Sequence, residues 1–98
     1  MLASSEAALA GHHVWLLERN EKLGKKLYLT GKGRCNITNI CSRQEFLENI
    51  IRNPKFLYSA VNTFENRDIM TLLENLGIKL KVERGGRVFP ASDKSSDV

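Results

Sequence analysis

Ala10-Gly11-His12-His13-Val14-Trp15-Leu16-Leu17-Glu18 is the stretch on which the fold turns. Its centre, Val14 to Leu17, is a short continuous apolar run between polar residues. Such a run suits a strand buried on both faces, as in a parallel sheet. Before it, Met1 to Ala10 is rich in Ala and Leu, which predicts a helix. Gly11 is a natural residue to follow its end. Helix, glycine, buried strand and terminal acid make up the second half of a dinucleotide-binding βαβ unit. In the complete unit a strand and a Gly-x-Gly-x-x-Gly turn stand before the helix; here the chain starts with the helix already under way. The acid that closes the second strand of such a unit accepts hydrogen bonds from ribose hydroxyls. Glu18 stands in that place, although an exposed acid at a strand end with no ligand fits the spacing equally well.

Further along, Thr30-Gly31-Lys32-Gly33-Arg34-Cys35-Asn36-Ile37-Thr38-Asn39 packs two glycines, two cations, a thiol and several short polar side chains into one run. No hydrophobic core needs that composition. Glycine lets a backbone lie close against a ligand, and adjacent amides can then point at an anion. Lys32 and Arg34 add positive charge, and the Arg fork grips phosphate or a ring carbonyl. Asn36, Thr38 and Asn39 supply short donors and acceptors that also stabilise turns. A polar surface turn is the plainer reading, and Gly-Lys-Gly alone would favour it. The density of polar anchors raises the ligand reading above it.

The rest of the chain reads as packing units. Asn20 to Lys26 is a charged connection, and Leu27-Tyr28-Leu29 is a short apolar piece. Ser42-Arg43-Gln44-Glu45 is a capping box ahead of an apolar face of Phe46, Leu47, Ile50 and Ile51. Asn53-Pro54 starts another helix, with Asn as cap and Pro at the first helical position. Its face is Phe56, Leu57, Ala60, Val61 and Phe64. Asn66 is expected to cap a third helix, with a face of Ile69, Met70, Leu72, Leu73 and Leu76, ended by Gly77. These apolar residues are expected in the core. From Ile78 the period becomes two, with Ile78, Leu80 and Val82 alternating with Lys79, Lys81 and Glu83, as in a half-exposed strand. Gly85-Gly86 signals a hairpin turn, and Arg87-Val88-Phe89 returns before Pro90. Ser92 and Asp93 are placed to cap a helix whose body is missing from 91–98.

Composition sets the outer limits. The 98 residues are 42% hydrophobic and 27% charged, which is ordinary globular usage and enough for one small domain at most. Net charge is +4 and the pI is about 9.3, which favours anionic partners. The basic residues are spread from Arg19 to Lys94 among acids, as on a solvated mixed surface. Cys35 and Cys41 match no zinc or redox spacing, and metal binding by them with His12 and His13 is a weak reading. Free thiols in a reducing cytosol is the plain one. No signal peptide opens the chain, and no apolar run approaches membrane-spanning length. No Gly-x-x-x-x-Gly-Lys-Ser/Thr phosphate loop is present.

With these residues in hand, the chain resembles the HI0933-like (YhiN/BaiN-type) family of bacterial NAD(P)/FAD-dependent oxidoreductases. The resemblance is carried by Leu16 to Asn20, Leu23 to Leu27, and above all Thr30 to Asn39. Arg52 to Leu57, Glu83 to Pro90 and Ser92-Asp93-Lys94 also fit, so the likeness covers essentially the whole chain. It implies an α/β fold: a partial Rossmann-like FAD-binding domain of the glutathione-reductase type, lacking its first strand and glycine turn, followed by helices and a β-hairpin. Within 1–98, ribose and flavin contacts would lie in 1–41, a helical segment in 42–77, the hairpin in 78–90 and the start of a truncated helix in 91–98.

The resemblance also implies roles. Glu18, with Arg19 beside it, would hold the adenosine ribose. Gly31, Lys32, Gly33, Arg34, Cys35 and Asn36 would lie along the flavin and its pyrophosphate, with Arg34, Cys35 and Asn36 nearest the ring, and Thr38 completes the set. A reduced flavin carries negative charge near N1, which amides or a cation would stabilise. Cys35 has no partner cysteine beside it, so a packing or contact role is expected over a redox one. No catalytic residue and no metal ligand emerges. In the full-length protein FAD would pass electrons between NAD(P)H or an organic substrate and an acceptor. The implied partners are FAD and a small-molecule substrate, with no nucleic acid and no membrane, in the cytoplasm. Read as a piece truncated at both ends, the chain by itself is expected to bind FAD poorly or not at all and to be inactive.

A small basic nucleic-acid-binding module is the alternative of a different class, on net charge and the Lys/Arg-rich glycine loop. Against it, Trp15, Phe46, Phe56 and Phe64 fall on apolar runs and faces expected to be buried, whereas a stacking platform needs exposed rings.

Overall fold

The computed structural model describes every residue from Met1 to Val98. Helix α1 (Leu2–Leu9) forms where the Ala-rich run predicts it, and Gly11 follows its end. It buries none of its residues. The run after it departs from expectation. Val14 to Leu17 adopts no strand and is not buried: Trp15 is 87% and Leu17 88% exposed. A parallel strand exists only through hydrogen bonds to neighbours, and no strand of this structure pairs with this run. The apolar pattern therefore marks a segment able to be covered on both faces, without itself supplying the cover.

Helix α2 (Lys25–Leu29) takes in the apolar Leu27-Tyr28-Leu29 piece, and a turn over Thr30–Gly33 follows directly, with Gly31 and Lys32 in the left-handed region. Strand β1 (Thr38–Asn39) then emerges from the end of the glycine-rich stretch, where no period of two announces it. Helix α3 (Arg43–Glu48) starts on the expected capping box. Ser42 Oγ accepts from the Glu45 amide at 3.2 Å, and the Glu45 carboxylate accepts from the Ser42 amide at 2.8 Å. Asn53-Pro54 opens a 3₁₀ turn, Pro54–Leu57, which runs on into α4 (Tyr58–Thr63); Asn53 gives no side-chain cap.

Helix α5 (Asn66–Asn75) is capped one residue earlier than the sequence suggests. Glu65 is the cap, its amide donating to Asp68 Oδ2 at 2.6 Å. Asn66 is freed for another task. Its amide nitrogen donates to the carbonyl of Asn39 and, at 2.8 Å, to that of Cys41, which fastens α5 to β1. One side-chain amide thereby satisfies two partly buried carbonyls.

Strands β2 (Leu80–Glu83) and β3 (Arg87–Pro90) make the expected hairpin around Gly85-Gly86. The sheet is antiparallel throughout, in the order β1-β3-β2, with Val82 opposite Val88 and Thr38 opposite Val88 on the other side. This corrects the expected parallel sheet: the one that forms is antiparallel and lies in the other part of the chain. Gly86 is where β1 comes close. A Cβ there would stand 2.6 Å from Asn39 Oδ1 on a backbone at φ +72°, so a side chain at this turn is strained and displaces Asn39. At the end of the chain a 3₁₀ turn covers Ser95–Asp97; Lys94, not Ser92 or Asp93, precedes it, and Ser92 Oγ donates to Asp97 instead.

β3 is the centre of the core. Val88 and Pro90 are fully buried and Phe89 nearly so, joined by Leu47, Leu73 and Cys35. The predicted helix faces are covered in part: Ile69, Met70, Leu72 and Leu73 of α5 are half-buried or buried, while several residues of the two preceding faces are not. Ile51 is 96% and Phe56 80% exposed, and Phe46, Phe64 and Leu76 also stay in the exposed class. Each of α3 and α4 is only six residues long, so a single neighbour covers a narrow stripe and leaves the flanking apolar residues in solvent. On β2 the expected alternation inverts at Val82, which is half exposed, while Lys81 and Glu83 are partly covered. No helix of the structure is long and apolar enough to cross a membrane.

Candidate functional site

Gly31 decides the shape of the loop that follows α2. Its φ is +56°, and a Cβ would lie 2.9 Å from the Asn36 backbone nitrogen and 3.3 Å from the Phe89 ring. Lys32 and Cys35 share the left-handed conformation, each at φ +58°. Side chains resist that region by about 1–2 kcal/mol per residue. Strain of this kind persists only where surrounding contacts over-determine it, and it concentrates at functional sites. The backbone closes on itself through Arg34 N–H to Gly31 O at 3.2 Å and Cys35 N–H to Thr30 O at 3.1 Å. Ile37 N–H then reaches Val88 O at 2.8 Å, which moors the loop to the central strand.

Arg34 adds the second mooring. Its Nε donates to Asp93 Oδ1 at 2.7 Å and its Nη2 to Glu83 Oε1. Its guanidinium lies over the Phe89 ring, with Cζ 4.3 Å from the ring centroid. Lys81 completes the group, 2.5 Å from Asp93 Oδ2 and 3.6 Å from Glu83 Oε1. The placement follows from strand geometry. Lys81, Glu83, Arg87 and Phe89 project from one face of the hairpin, with Lys81 opposite Phe89 and Glu83 opposite Arg87. Leu80, Val82 and Val88 take the other face. The hydrogen bond from Arg34 holds the Glu83 carboxyl below its ordinary range, and those from Lys81 and then Arg34 do the same for Asp93. The same pairing raises Arg34, through Glu83 first and Asp93 second.

The expected site residues thus fall into three situations. Gly31, Lys32, Gly33 and Asn36 form an exposed arc, and Lys32 takes part in no ion pair. Arg34 and Thr38 are half-buried, Thr38 within β1, and Cys35 is buried with a free thiol. Glu18 and Arg19 lie at the end of the extended run and are exposed. Glu18 Oε1 accepts from the Asn20 amide at 2.8 Å and from its side chain at 2.5 Å, and the backbone bond, then the side-chain bond, lower its pKa. Glu18 Oε2 takes no hydrogen bond. No hydrogen bond or ion pair ties Glu18 or Arg19 to the loop. No group of three or more His, Cys, Asp or Glu side chains is set to hold a metal ion.

Lys81, Glu83, Phe89 and Asp93 belong to the site's framework, whereas the sequence pattern marks the first three only as strand residues and Asp93 only as a helix cap. Glu83 to Pro90 and Ser92-Asp93-Lys94 also carry the family resemblance, a signal that points to Glu83, Phe89 and Asp93 but not to Lys81. A concavity of about 440 Å³ lined by Arg43, Gln44, Leu47, Glu48, Pro54 and Tyr58 shares no residue with the loop.

Comparison with known proteins gives a consistent result. The HI0933-like protein Rossmann domain matches residues 1–98. The chain is 33% identical over 85 residues to the 3-dehydro-bile acid delta(4,6)-reductase of Clostridium scindens, covering 87% of this chain and 20% of that protein. It is 33% identical over 89 residues to the ribosomal RNA dihydrouridine synthase of Escherichia coli, covering 91% and 22%. It is 28% identical over 90 residues to the protein of the same name from Haemophilus influenzae, again 91% and 22%. The chain spans about a fifth of the length of the curated relatives it matches.

Proposed function

The chain belongs to the HI0933-like Rossmann-domain family, and from that premise we propose that it forms part of the FAD-binding site of a flavoprotein oxidoreductase. The observation that carries this reading is the exposed arc of Gly31, Lys32, Gly33 and Asn36, with Lys32 in the left-handed region and the following Ile37 N–H bonded to Val88 O of β3. The donor set suits a flavin and its diphosphate. Lys32 is a cation with no carboxylate partner, the Asn36 amide makes no hydrogen bond, and a Cβ at Gly33 would meet nothing within 4 Å. Glu18, with Arg19, supplies a carboxylate whose Oε2 is open to ribose hydroxyls, and its lowered pKa keeps it an acceptor. Arg34, Cys35 and Thr38 complete the segment, the buried Cys35 through its backbone.

FAD, when bound, supplies the electron transfer between NAD(P)H or an organic substrate and an acceptor. The residues of this chain bind it, orient it and set positive charge beside it. The relatives' names, a delta(4,6)-reductase and dihydrouridine synthases, both describe saturation of a carbon–carbon double bond. That makes reduction of such a bond in a small organic substrate the preferred overall reaction of the whole protein.

Titration of the isotopically labelled chain with FAD, followed by amide NMR shifts, tests this. Weak binding is expected, with shifts gathered at Glu18, Arg19 and Gly31 to Thr38. Shifts scattered elsewhere, or none at all, would overturn the proposal.

One observation favours a second reading, in which an RNA is the substrate or partner. Trp15, Phe46, Phe56 and Phe64, expected to be buried, are exposed and so available for stacking. Two of the relatives also carry ribosomal RNA in their names. Salt-dependent binding of RNA with no response to FAD would select it.

A further inference from the structure

Gly31-Lys32-Gly33-Arg34 offers two cations that look interchangeable in the sequence, and the structure separates them. Every feature of Arg34 is directed inward. Its Nε and Nη2 are engaged by two different carboxylates, and its flat face rests on Phe89. Those partners come from β2, from β3 and from the segment after β3, so one guanidinium joins the loop to three stretches of the C-terminal part. A planar fork with its charge spread over three nitrogens is the group suited to bridging two carboxylates while stacking on a ring. Lys32 differs in each respect. It sits between two glycines, it is exposed, and it touches no carboxylate.

We infer that Arg34 is a positioning residue: it clamps the left-handed Gly31–Cys35 loop to the hairpin through Glu83, Asp93 and Phe89, which leaves Lys32 as the cation that meets an anionic ligand. The clamp stands on geometry alone; the ligand half rests on the FAD reading above. The division has a physical basis. A left-handed backbone at Lys32 and Cys35 relaxes unless something holds it; the two backbone bonds inside the loop do not reach the hairpin, and the one that does, from Ile37 N–H to Val88 O, lies beyond Cys35. A cation already engaged by two carboxylates also presents little net charge to a third anion.

The experiment uses the labelled 98-residue chain in five forms: unaltered, Arg34→Gln, Asp93→Asn, Glu83→Gln and Lys32→Gln. Hydrogen exchange at the Arg34 and Cys35 amides reads the clamp, and amides of the β2–β3 pairing report whether the hairpin stays folded. Arg34→Gln and Asp93→Asn are expected to speed exchange in the loop by about tenfold while the hairpin amides hold. Lys32→Gln is expected to change neither. Should Arg34→Gln unfold the hairpin as well, Asp93→Asn and Glu83→Gln still decide, since they leave the loop sequence intact.

FAD titration at two salt concentrations reads the ligand half. The affinity of the unaltered chain falls with salt; that dependence is expected to vanish in Lys32→Gln and to survive in Asp93→Asn, even where binding is weaker. Loop amides that stay protected in Arg34→Gln, Asp93→Asn and Glu83→Gln would overturn the clamp. Salt dependence lost in Arg34→Gln but kept in Lys32→Gln would overturn the division of roles. If FAD shifts no amide of the unaltered chain while the exchange pattern appears as expected, the cofactor reading fails and the clamp stands.

Discussion

The Arg34 guanidinium rests on the ring of Phe89, its central carbon 4.3 Å from the ring centroid. Arg87 approaches the same ring at 5.8 Å. Phe89 is therefore both the middle of the buried strand and the floor under the glycine loop. The contact ties core packing to loop shape, so a change on either side is felt on the other. Cation–ring attraction of this kind needs the ring held in place beneath the cation, and Phe89 is itself buried.

Acid should loosen the loop before it unfolds the core. Glu83 and Asp93 have pKa values lowered below their ordinary carboxylate values by Arg34 and Lys81. A depressed folded-state pKa means stability that is fully present above the unfolded-state value and lost as pH falls through the folded-state value. Amide exchange at Arg34 and Cys35 is expected to be steady from pH 7 to about 5 and to accelerate below about 4. Exchange that accelerates as pH rises, after correction for intrinsic rates, would refute the linkage.

Gly31→Ala should be costly out of proportion to one methyl group. The new Cβ would meet the Asn36 nitrogen at 2.9 Å on a backbone already at φ +56°. A loss of about 2 kcal/mol in unfolding free energy is expected, measured by urea denaturation. Gly33→Ala meets only the conformational penalty, since nothing lies within 4 Å of its Cβ position. It should therefore cost less than Gly31→Ala.

Ser42→Ala removes one half of the α3 capping box, the acceptor for the Glu45 amide. A loss of about 1 kcal/mol is expected. Ser42→Asp should restore most of it by offering another acceptor at the same place. Thermal unfolding of the three forms checks both statements.

Trp15 is the only tryptophan of the chain, so its fluorescence reports one site. With 87% of its surface exposed, it should be quenched by acrylamide nearly as well as a free indole in solution. Trp15→Ala should change stability by less than about 0.5 kcal/mol. A shielded, poorly quenched Trp15 would mean that the apolar run is covered in solution.

Local features were legible in the residue order because their partners are close by. The α1 end at Gly11, the Ser42–Glu45 box, the end of α5 before Gly77 and the Gly85-Gly86 turn each depend on contacts within a few residues. The unusual composition of Thr30 to Asn39 likewise singled out the loop and carried the likeness to the family. Periodicity went further than it should have. It identified which residues of 46–64 are apolar and aligned, but a pattern states only which face could be buried. Ile51 and Phe56 are exposed because no neighbour of this chain reaches them.

Tertiary structure alone decided what holds the loop. Arg34 meets Glu83 across 49 residues and Asp93 across 59, and Ile37 meets Val88 across a similar span. No spacing rule links positions so far apart, because the chain between them can take many paths. The register of the hairpin put Lys81, Glu83 and Phe89 on one face, and that register brought the carboxylates to the arginine. The sequence thus chose the residue types; the pairing of strands chose which cation was bound inward and which was left facing solvent.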